Sequence, residues 1–144
     1  MPLVFISKRL GFCAAHRLYN PKFDEETNQR VFGPCANPNS HGHNYEVEVT
    51  VAGNPDPDTG MVMNLVDLKA LLVEHVFDVL DHRHLDMDSD FLGGRISTAE
   101  NLAIATWERL EPHVHNATLH SVTIFETPTN RVVYQGPSVR LDSA

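Results

Sequence analysis

The chain has 144 residues and a formal net charge of -8, with 11 Lys and Arg against 19 Asp and Glu. This length is typical of one domain, and we expect residues 1–144 to form a single one. The basic residues are scattered, which argues against nucleic acid as a partner because phosphate binding needs clustered positive charge. The two cysteines do not make a disulfide framework, and no apolar run approaches a membrane span. Lys8 and Arg9 interrupt the apolar N-terminus, so we expect no secretory signal and a cytoplasmic protein.

The first half of the chain is predicted to form two strands. Residues 3–15 alternate in polarity and place His16 at the end of a strand, on its more apolar face. Residues 24–32 carry acidic residues first and a basic residue late, which favours a short helix that ends before Gly33-Pro34. Residues 41–52 alternate again and predict the second strand. The turn-rich segment that follows, residues 53–60, suggests a hairpin tip with a short continuation over residues 61–64.

Two amphipathic helices are predicted next. Apolar residues recur at intervals of three and four over residues 65–80, and Asn64 can cap this helix. The loop over residues 82–94 follows. Ser97-Thr-Ala-Glu100 matches a capping box, which predicts that the second helix begins at Ser97 and ends near Pro112.

A C-terminal hairpin completes the pattern, with strands over residues 119–126 and 131–135 and a loose tail over residues 137–144. The order strand, strand, helix, helix, strand, strand predicts an α+β fold in which two helices cover one face of an antiparallel four-stranded sheet. Three valines of the second strand are assigned to the other face, where nothing in this chain would cover them; they are Val47, Val49 and Val51. Such a face favours oligomerisation.

Three histidines lie where the predicted strands begin or end. Residues two apart on a strand point to the same face, so His41 and His43 project together, and His16 ends the first strand on an apolar face. Three histidines with no obvious acidic fourth ligand are typical of a catalytic zinc site, in which Zn²⁺ acts as a Lewis acid. The alternative is that these histidines pair with backbone groups and bind no metal.

Cys35 precedes His41 by six residues and allows three interpretations. It can be a fourth ligand, which would make the zinc site closed and structural. It can be a nucleophile or base beside the metal, because a nearby cation lowers the pKa of a thiol. It can also be a small buried hydrophobe. Cys13 fits this last interpretation better, because its parity on the strand is opposite to that of His16.

Two acidic positions are further candidates. Asp81-His82 follows the first long helix, and a carboxylate beside an imidazole can fix its tautomer and orient a proton relay. The alternative is a solvated loop. Glu126 ends a strand on the parity of Val122 and Ile124, where its carboxylate either accepts N–H groups of a ligand or is an ordinary edge charge.

Six motifs in this order resemble the 6-pyruvoyltetrahydropterin synthase family, which includes the 6-carboxytetrahydropterin synthases. They are Phe12-Cys-Ala-Ala-His16, the stretch from Phe32 to Tyr45, Gly60-Met-Val-Met-Asn-Leu65, Leu80-Asp-His82, Ser97-Thr-Ala-Glu-Asn-Leu102 and Glu126-Thr127. The resemblance spans nearly the whole chain. It implies the tunnelling fold with ββααββ order, in which three subunits form a barrel and two trimers stack into a homohexamer with interfacial active sites.

The resemblance also implies roles for individual residues: zinc ligands His16, His41 and His43; proton-abstracting base Cys35; relay residues Asp81 and His82; pterin anchor Glu126; and pocket residues Thr98 and Glu100. The implied activity is that of a carbon–oxygen lyase. Its substrate would be 7,8-dihydroneopterin triphosphate. The enzyme would eliminate triphosphate and form 6-pyruvoyltetrahydropterin, as in a tetrahydrobiopterin-type pathway. Acid–base help of this kind contributes about 10²–10⁴-fold.

The resemblance leaves a second enzyme open, a 6-carboxytetrahydropterin synthase of queuosine biosynthesis that uses the same substrate and metal. In that branch three residues commonly separate the cysteine from His-Gly-His. Five intervene here, residues 36–40, as in the pyruvoyl-forming type. A third alternative is a non-catalytic module held by a structural zinc. The chain also departs from the family at Cys13, where serine is more common, and at His84, where asparagine is usual.

Overall fold

A computed structural model describes residues 2–142. Met1, Ser143 and Ala144, and with them the end of the predicted C-terminal tail, lie outside the described residues. The strands form one five-stranded sheet in the order β3-β1-β2-β4-β5. Their bounds are β1 Val4–His16, β2 His41–Gly53, β3 Arg83–His84, β4 Thr118–Thr127 and β5 Asn130–Tyr134. The predicted α+β architecture is therefore confirmed, with one more strand than the sequence indicated.

The additional strand, β3, is two residues long and pairs parallel to the end of β1. Two residues are too short to show an alternating pattern, which is why the sequence predicted only a loop there. Backbone hydrogen bonds hold the segment on the sheet edge, because the His82 amide donates to the Cys13 carbonyl at 2.7 Å and the Leu85 amide donates to the Ala15 carbonyl at 2.8 Å. This pairing places the chain after the long helix beside the end of β1.

Helix α1 spans Glu25–Phe32, and the carboxylate of its N-cap, Asp24, accepts from the Thr27 amide at 2.7 Å. A 3₁₀ turn, Gly33–Ala36, follows it. Gly33 adopts a φ of 57°, a left-handed conformation that favours glycine. The structure thus ends α1 at the position that the sequence predicted.

The predicted helix over residues 65–80 is continuous but not uniform. It comprises α2 Leu65–Leu72, a π-helical turn Val73–Phe77 and α3 Asp78–Leu80. Asn64 caps it as predicted, accepting from the Val66 amide at 2.9 Å. Residues 61–64 form no strand, so that part of the prediction was wrong.

Helix α4 spans Ala99–Leu110, and its N-cap is Thr98, not Ser97. The Thr98 hydroxyl accepts from the Asn101 amide at 3.2 Å. The predicted capping box was therefore one residue early. Ser97 is buried instead, and its carbonyl serves a histidine of the candidate site.

The helices cover the face of the sheet that carries Val47, Val49 and Val51, which is the opposite of the prediction. All three valines are fully buried and pack in one core cluster with Leu68 of α2 and Leu102 of α4. The alternation had correctly placed the valines on one face, but it does not show which face receives the helices. The helices cover this face because it is the more apolar one.

The other face of the sheet is largely polar. Ser7 and Thr50 share a hydrogen bond of 2.6 Å there, and Arg9 pairs with Glu46 at 3.1 Å while its guanidinium lies over the ring of Phe125. No helix among residues 2–142 is both long enough and apolar enough to cross a membrane.

Candidate metal centre

Three histidines converge on the helix-covered face at one end of the sheet. In the β1–β2 register His16 pairs directly with His41, and Ala14 pairs with His43. Residues opposite each other on antiparallel strands project to the same face, and so do residues two apart. The strand pairing therefore brings together the three side chains that the sequence predicted as metal ligands.

The ligand atoms of His16, His41 and His43 all lie within 4.8 Å of one another. The Nε2 atoms of His16 and His41 are 3.0 Å apart. Two nitrogens bound tetrahedrally to Zn²⁺ at about 2.0–2.1 Å would lie about 3.3 Å apart. The observed spacing differs from this by only a few tenths of an ångström.

The hydrogen bonds of these rings leave nitrogen lone pairs for a metal. Nδ1 of His16 lies 2.7 Å from the Ser97 carbonyl, which can only accept, so this nitrogen carries the proton and Nε2 of His16 keeps its lone pair. Nε2 of His43 is buried and has no hydrogen-bond partner among residues 2–142. A buried nitrogen without a partner is costly in a native structure, and a metal ion would satisfy it. The donor set therefore fits a divalent metal.

The electrostatics favour the neutral form of His16 and His41. Burial lowers the pKa of His16 below its usual range, and the adjacent His41 and His43 lower it further. Burial likewise lowers the pKa of His41, with His43 adding to the effect, while the carboxylate of Glu126 opposes it. The neutral imidazole is the form that binds metals.

Tyr45 forms the apolar floor behind the histidines. It is almost fully buried and stacks on Phe12 with a centroid distance of 5.2 Å. Its hydroxyl lies 3.3 Å from Nδ1 of His16, and burial raises the pKa of the phenol far above its usual range. A neutral Tyr45 therefore adds no charge beside the metal ligands.

Cys35 lies on the 3₁₀ turn Gly33–Ala36 and is partly buried. The turn is anchored to the chain after β1, because the Leu18 amide donates to the Cys35 carbonyl and Nε of Arg17 donates to the Ala36 carbonyl. Among residues 2–142, Cys35 belongs to no group of three ligands within 4.8 Å of one another. The structure thus contains a three-histidine set rather than a closed set completed by Cys35.

The predicted substrate residues Thr98, Glu100 and Glu126 lie together. They line one groove of about 260 Å³ with Leu18, Ala99, Asn130, Arg131 and Val132. Oε1 of Glu126 lies 3.8 Å from Nε2 of His43, so this carboxylate adjoins both the groove and the metal ligands. Glu126 therefore links the groove to the histidine cluster.

Asp81 and His82 lie on the other face of the sheet, beside Cys13. One carboxylate oxygen of Asp81 accepts from the Cys13 amide at 3.0 Å, and the other lies 2.6 Å from Nδ1 of His82. These two hydrogen bonds lower the pKa of Asp81. Cys13 is not the buried hydrophobe that the sequence favoured, because it is only partly buried and its Sγ is 3.6 Å from Nδ1 of His82. Within one chain the predicted relay adjoins Cys13 and not Cys35.

Two features of the site were missed by sequence reasoning. The Ser97 carbonyl orients His16, and backbone groups carry no signal in a sequence. His84 braces the turn before β2: its Nδ1 accepts from the Asp86 amide at 3.1 Å, so its Nε2 donates to the Ser40 hydroxyl at 2.8 Å. The polar neighbours of His84 in the sequence gave no indication of this pairing with Ser40.

Comparison with known proteins agrees with this geometry. The family model described as 6-pyruvoyl tetrahydropterin synthase matches residues 5–137. The chain belongs to the 6-pyruvoyl tetrahydropterin synthase family. It is 47% identical to the human 6-pyruvoyl tetrahydrobiopterin synthase over 131 residues, which cover 91% of this chain and 90% of that protein. The structure of the Caenorhabditis elegans 6-pyruvoyl tetrahydropterin synthase matches with a TM-score of 0.90 and 42% identity, covering 95% of this chain and 98% of that one.

A relative with a different activity in its name is more distant. The 6-carboxy-5,6,7,8-tetrahydropterin synthase of Synechocystis is 34% identical over 136 residues, 92% of this chain and 93% of that protein. Membership of the 6-pyruvoyl tetrahydropterin synthase family supports an enzymatic role. It also confirms the resemblance that the six motifs carried and the tunnelling fold. That residues 1–144 form one domain stays a prediction.

Proposed function

We propose that the chain is a zinc-dependent lyase that converts 7,8-dihydroneopterin triphosphate to 6-pyruvoyltetrahydropterin and triphosphate. The observation that carries this proposal is the set of three converging imidazoles, with Nδ1 of His16 held by Ser97 and Nε2 of His43 buried without a partner. His16, His41 and His43 would hold the ion, which supplies Lewis acidity toward a side-chain oxygen of the substrate.

Proton transfer in this proposal belongs to Cys35. The thiol lies on a turn that backbone hydrogen bonds fix to the chain after β1, a rigid support for a base. Cys35 would remove a proton from the substrate side chain.

Substrate orientation in this proposal belongs to Glu126 and the groove it shares with Thr98 and Glu100. An ionised carboxylate accepts hydrogen bonds only, and bonds to a charged acceptor are about twice as strong as neutral ones. The pterin ring offers adjacent N–H donors. Glu126 can hold the ring through these donors. Because Oε1 of Glu126 is 3.8 Å from Nε2 of His43, the substrate side chain would then face His43.

Asp81 and His82 complete the proposal through a neighbouring subunit. They lie on the sheet face opposite the metal ligands, and the His82 side chain is 81% exposed in the single chain. We therefore assign the relay to an active site shared between chains, in a homohexamer built as a dimer of trimers. The two free cysteines support a reducing compartment, and we place the enzyme in the cytoplasm.

The pyruvoyl product is favoured over the carboxy product by two observations. The 47% identity to the human protein named for the first exceeds the 34% identity to the Synechocystis protein named for the second. Five residues, as in the pyruvoyl-forming type, separate Cys35 from His41. The 6-carboxytetrahydropterin synthase activity of queuosine biosynthesis is the alternative.

The proposal is tested by following triphosphate release from 7,8-dihydroneopterin triphosphate. We expect chelated protein to be inactive, one equivalent of Zn²⁺ to restore release, and His41→Ala to stay inactive after zinc is added. Release at an unchanged rate from chelated protein would contradict the metal requirement. Zinc binding without any release would favour the structural-site interpretation.

A further inference from the structure

A second cluster of metal-binding groups lies on the sheet face away from the three histidines. Cys13 pairs with Asn44 in the β1–β2 register and has the parity opposite to that of His16, so its side chain points to the largely polar face. Sγ of Cys13, the carboxylate of Asp81 and Nδ1 of His82 all lie within 4.8 Å of one another. We infer that Cys13, Asp81 and His82 form a second metal site, which takes a thiophilic divalent cation such as Zn²⁺ or Cd²⁺.

The distances are close to those that such an ion requires. Bonds to Zn²⁺ of about 2.3 Å from sulfur and about 2.05 Å from nitrogen, at the tetrahedral angle, place the two atoms about 3.6 Å apart. Sγ of Cys13 and Nδ1 of His82 are 3.6 Å apart. The carboxylate oxygen of Asp81 and Nδ1 of His82 are 2.6 Å apart, and the two atoms must separate to about 3.4 Å. The exposed ring of His82 can make this adjustment by rotating about its side-chain torsions.

The backbone holds this cluster together. The His82 amide donates to the Cys13 carbonyl at 2.7 Å, and the Cys13 amide donates to the first carboxylate oxygen of Asp81 at 3.0 Å. The second carboxylate oxygen is thereby aimed at His82. The nearby cation of Arg83 is directed elsewhere, since its guanidinium donates to the Val79 carbonyl at 3.2 Å. A thiolate, an imidazole and a carboxylate together suit zinc-type ions.

The same geometry argues against a nucleophilic triad made of Cys13, His82 and Asp81. In such a triad the thiol and the carboxylate bond to different nitrogens of the imidazole, so that the ring can pass a proton between them. Here both Sγ of Cys13 and the Asp81 carboxylate face Nδ1 of His82. Three groups that converge on one point are the arrangement of metal ligands. Binding would release the thiol proton and move the ring proton of a neutral His82 to Nε2.

Occupation of this site has a consequence for catalysis, and that consequence rests on the proposed function. A metal on His82 and Asp81 would take the two groups that the proposed relay uses. We therefore expect a second equivalent of Zn²⁺ to inhibit turnover, and Cys13→Ser to be resistant to that inhibition. The binding itself is measured without any activity assay, so its failure is distinguishable from failure of the proposed function.

The test is equilibrium dialysis of the assembled protein against Zn²⁺ or Cd²⁺, followed by metal analysis and by absorption spectroscopy of the cadmium form. We expect two ions per chain for the wild type, with a sulfur-to-cadmium charge-transfer band, and one ion without the band for Cys13→Ser. Cys35→Ser is the matched control and should keep two ions and the band. His41→Ala should keep one ion and the band. One ion per chain in the wild type, or a band that disappears with Cys35 and not with Cys13, would overturn the inference.

Discussion

Replacement of His43 by leucine should raise the stability of the metal-free protein and lower the stabilisation that zinc provides. Nε2 of His43 is buried without a partner, while the whole side chain is 20% exposed. An unsatisfied buried polar group costs about 1–3 kcal/mol. Leucine has a similar volume and no polar atom, so His43→Leu should raise the free energy of unfolding of the metal-free chain by about that amount.

The stabilisation that bound zinc provides should fall on the same substitution. A ligand present at 1,000 times its Kd stabilises the folded state by about 4.1 kcal/mol. If the loss of one of three imidazoles weakens binding by about 100-fold, the same metal concentration stabilises the variant by only about 1.4 kcal/mol. The stabilisation by zinc should therefore fall by about 2.7 kcal/mol.

The measurement is denaturant unfolding at one protein concentration, with chelator and with a fixed excess of Zn²⁺. His120→Leu is the matched control, because His120 lies on β4 against Phe5, with ring centroids 4.6 Å apart, and is not among the three converging histidines. It should leave the stabilisation by zinc unchanged. A metal-free His43→Leu protein that is less stable than the wild type, or one that zinc stabilises as strongly, would refute the reasoning.

Three further predictions concern the proposed base, the proposed pterin anchor and the assignment of the sheet faces. Cys35→Ala should lower turnover by about 10²–10⁴-fold with metal content unchanged, whereas loss of the metal would make Cys35 a ligand. If active sites are shared between subunits, mixed oligomers of Cys35→Ala and His82→Ala chains should recover some activity. Glu126→Gln should lower kcat/KM by about 10–100-fold at normal metal content, and an unchanged kcat/KM would remove Glu126 from substrate binding. Val49→Ala should destabilise the fold by about 1.5–3 kcal/mol and Glu48→Ala by less than about 0.5, and equal losses in chemical unfolding would contradict the assignment of faces.

The metal ligands were predictable because strand geometry alone brings them together. Parity places His41 and His43 on one face of a strand, and the end of the first strand supplies His16. The observed antiparallel register pairs the end of β1 with the beginning of β2 and so brings the three side chains together. The cap at Asn64 and the end of α1 were also predictable from the local sequence, and the structure confirms both.

The errors arose where a local pattern has two tertiary solutions. Alternation groups Val47, Val49 and Val51 but does not say which face the helices cover. Ser97 and Thr98 both fit an N-cap locally, and burial of Ser97 against His16 decides between them. The pairing of Cys13 with His82 depends on β3, which is too short to leave a periodic signal.

The product of turnover tests the central claim most directly. Zinc-loaded protein is incubated with 7,8-dihydroneopterin triphosphate under exclusion of oxygen, and the products are identified by mass spectrometry. The account predicts free triphosphate and a tetrahydropterin that keeps its whole three-carbon side chain as a pyruvoyl group. A 6-carboxy product formed together with acetaldehyde would contradict it and assign the chain to the queuosine branch.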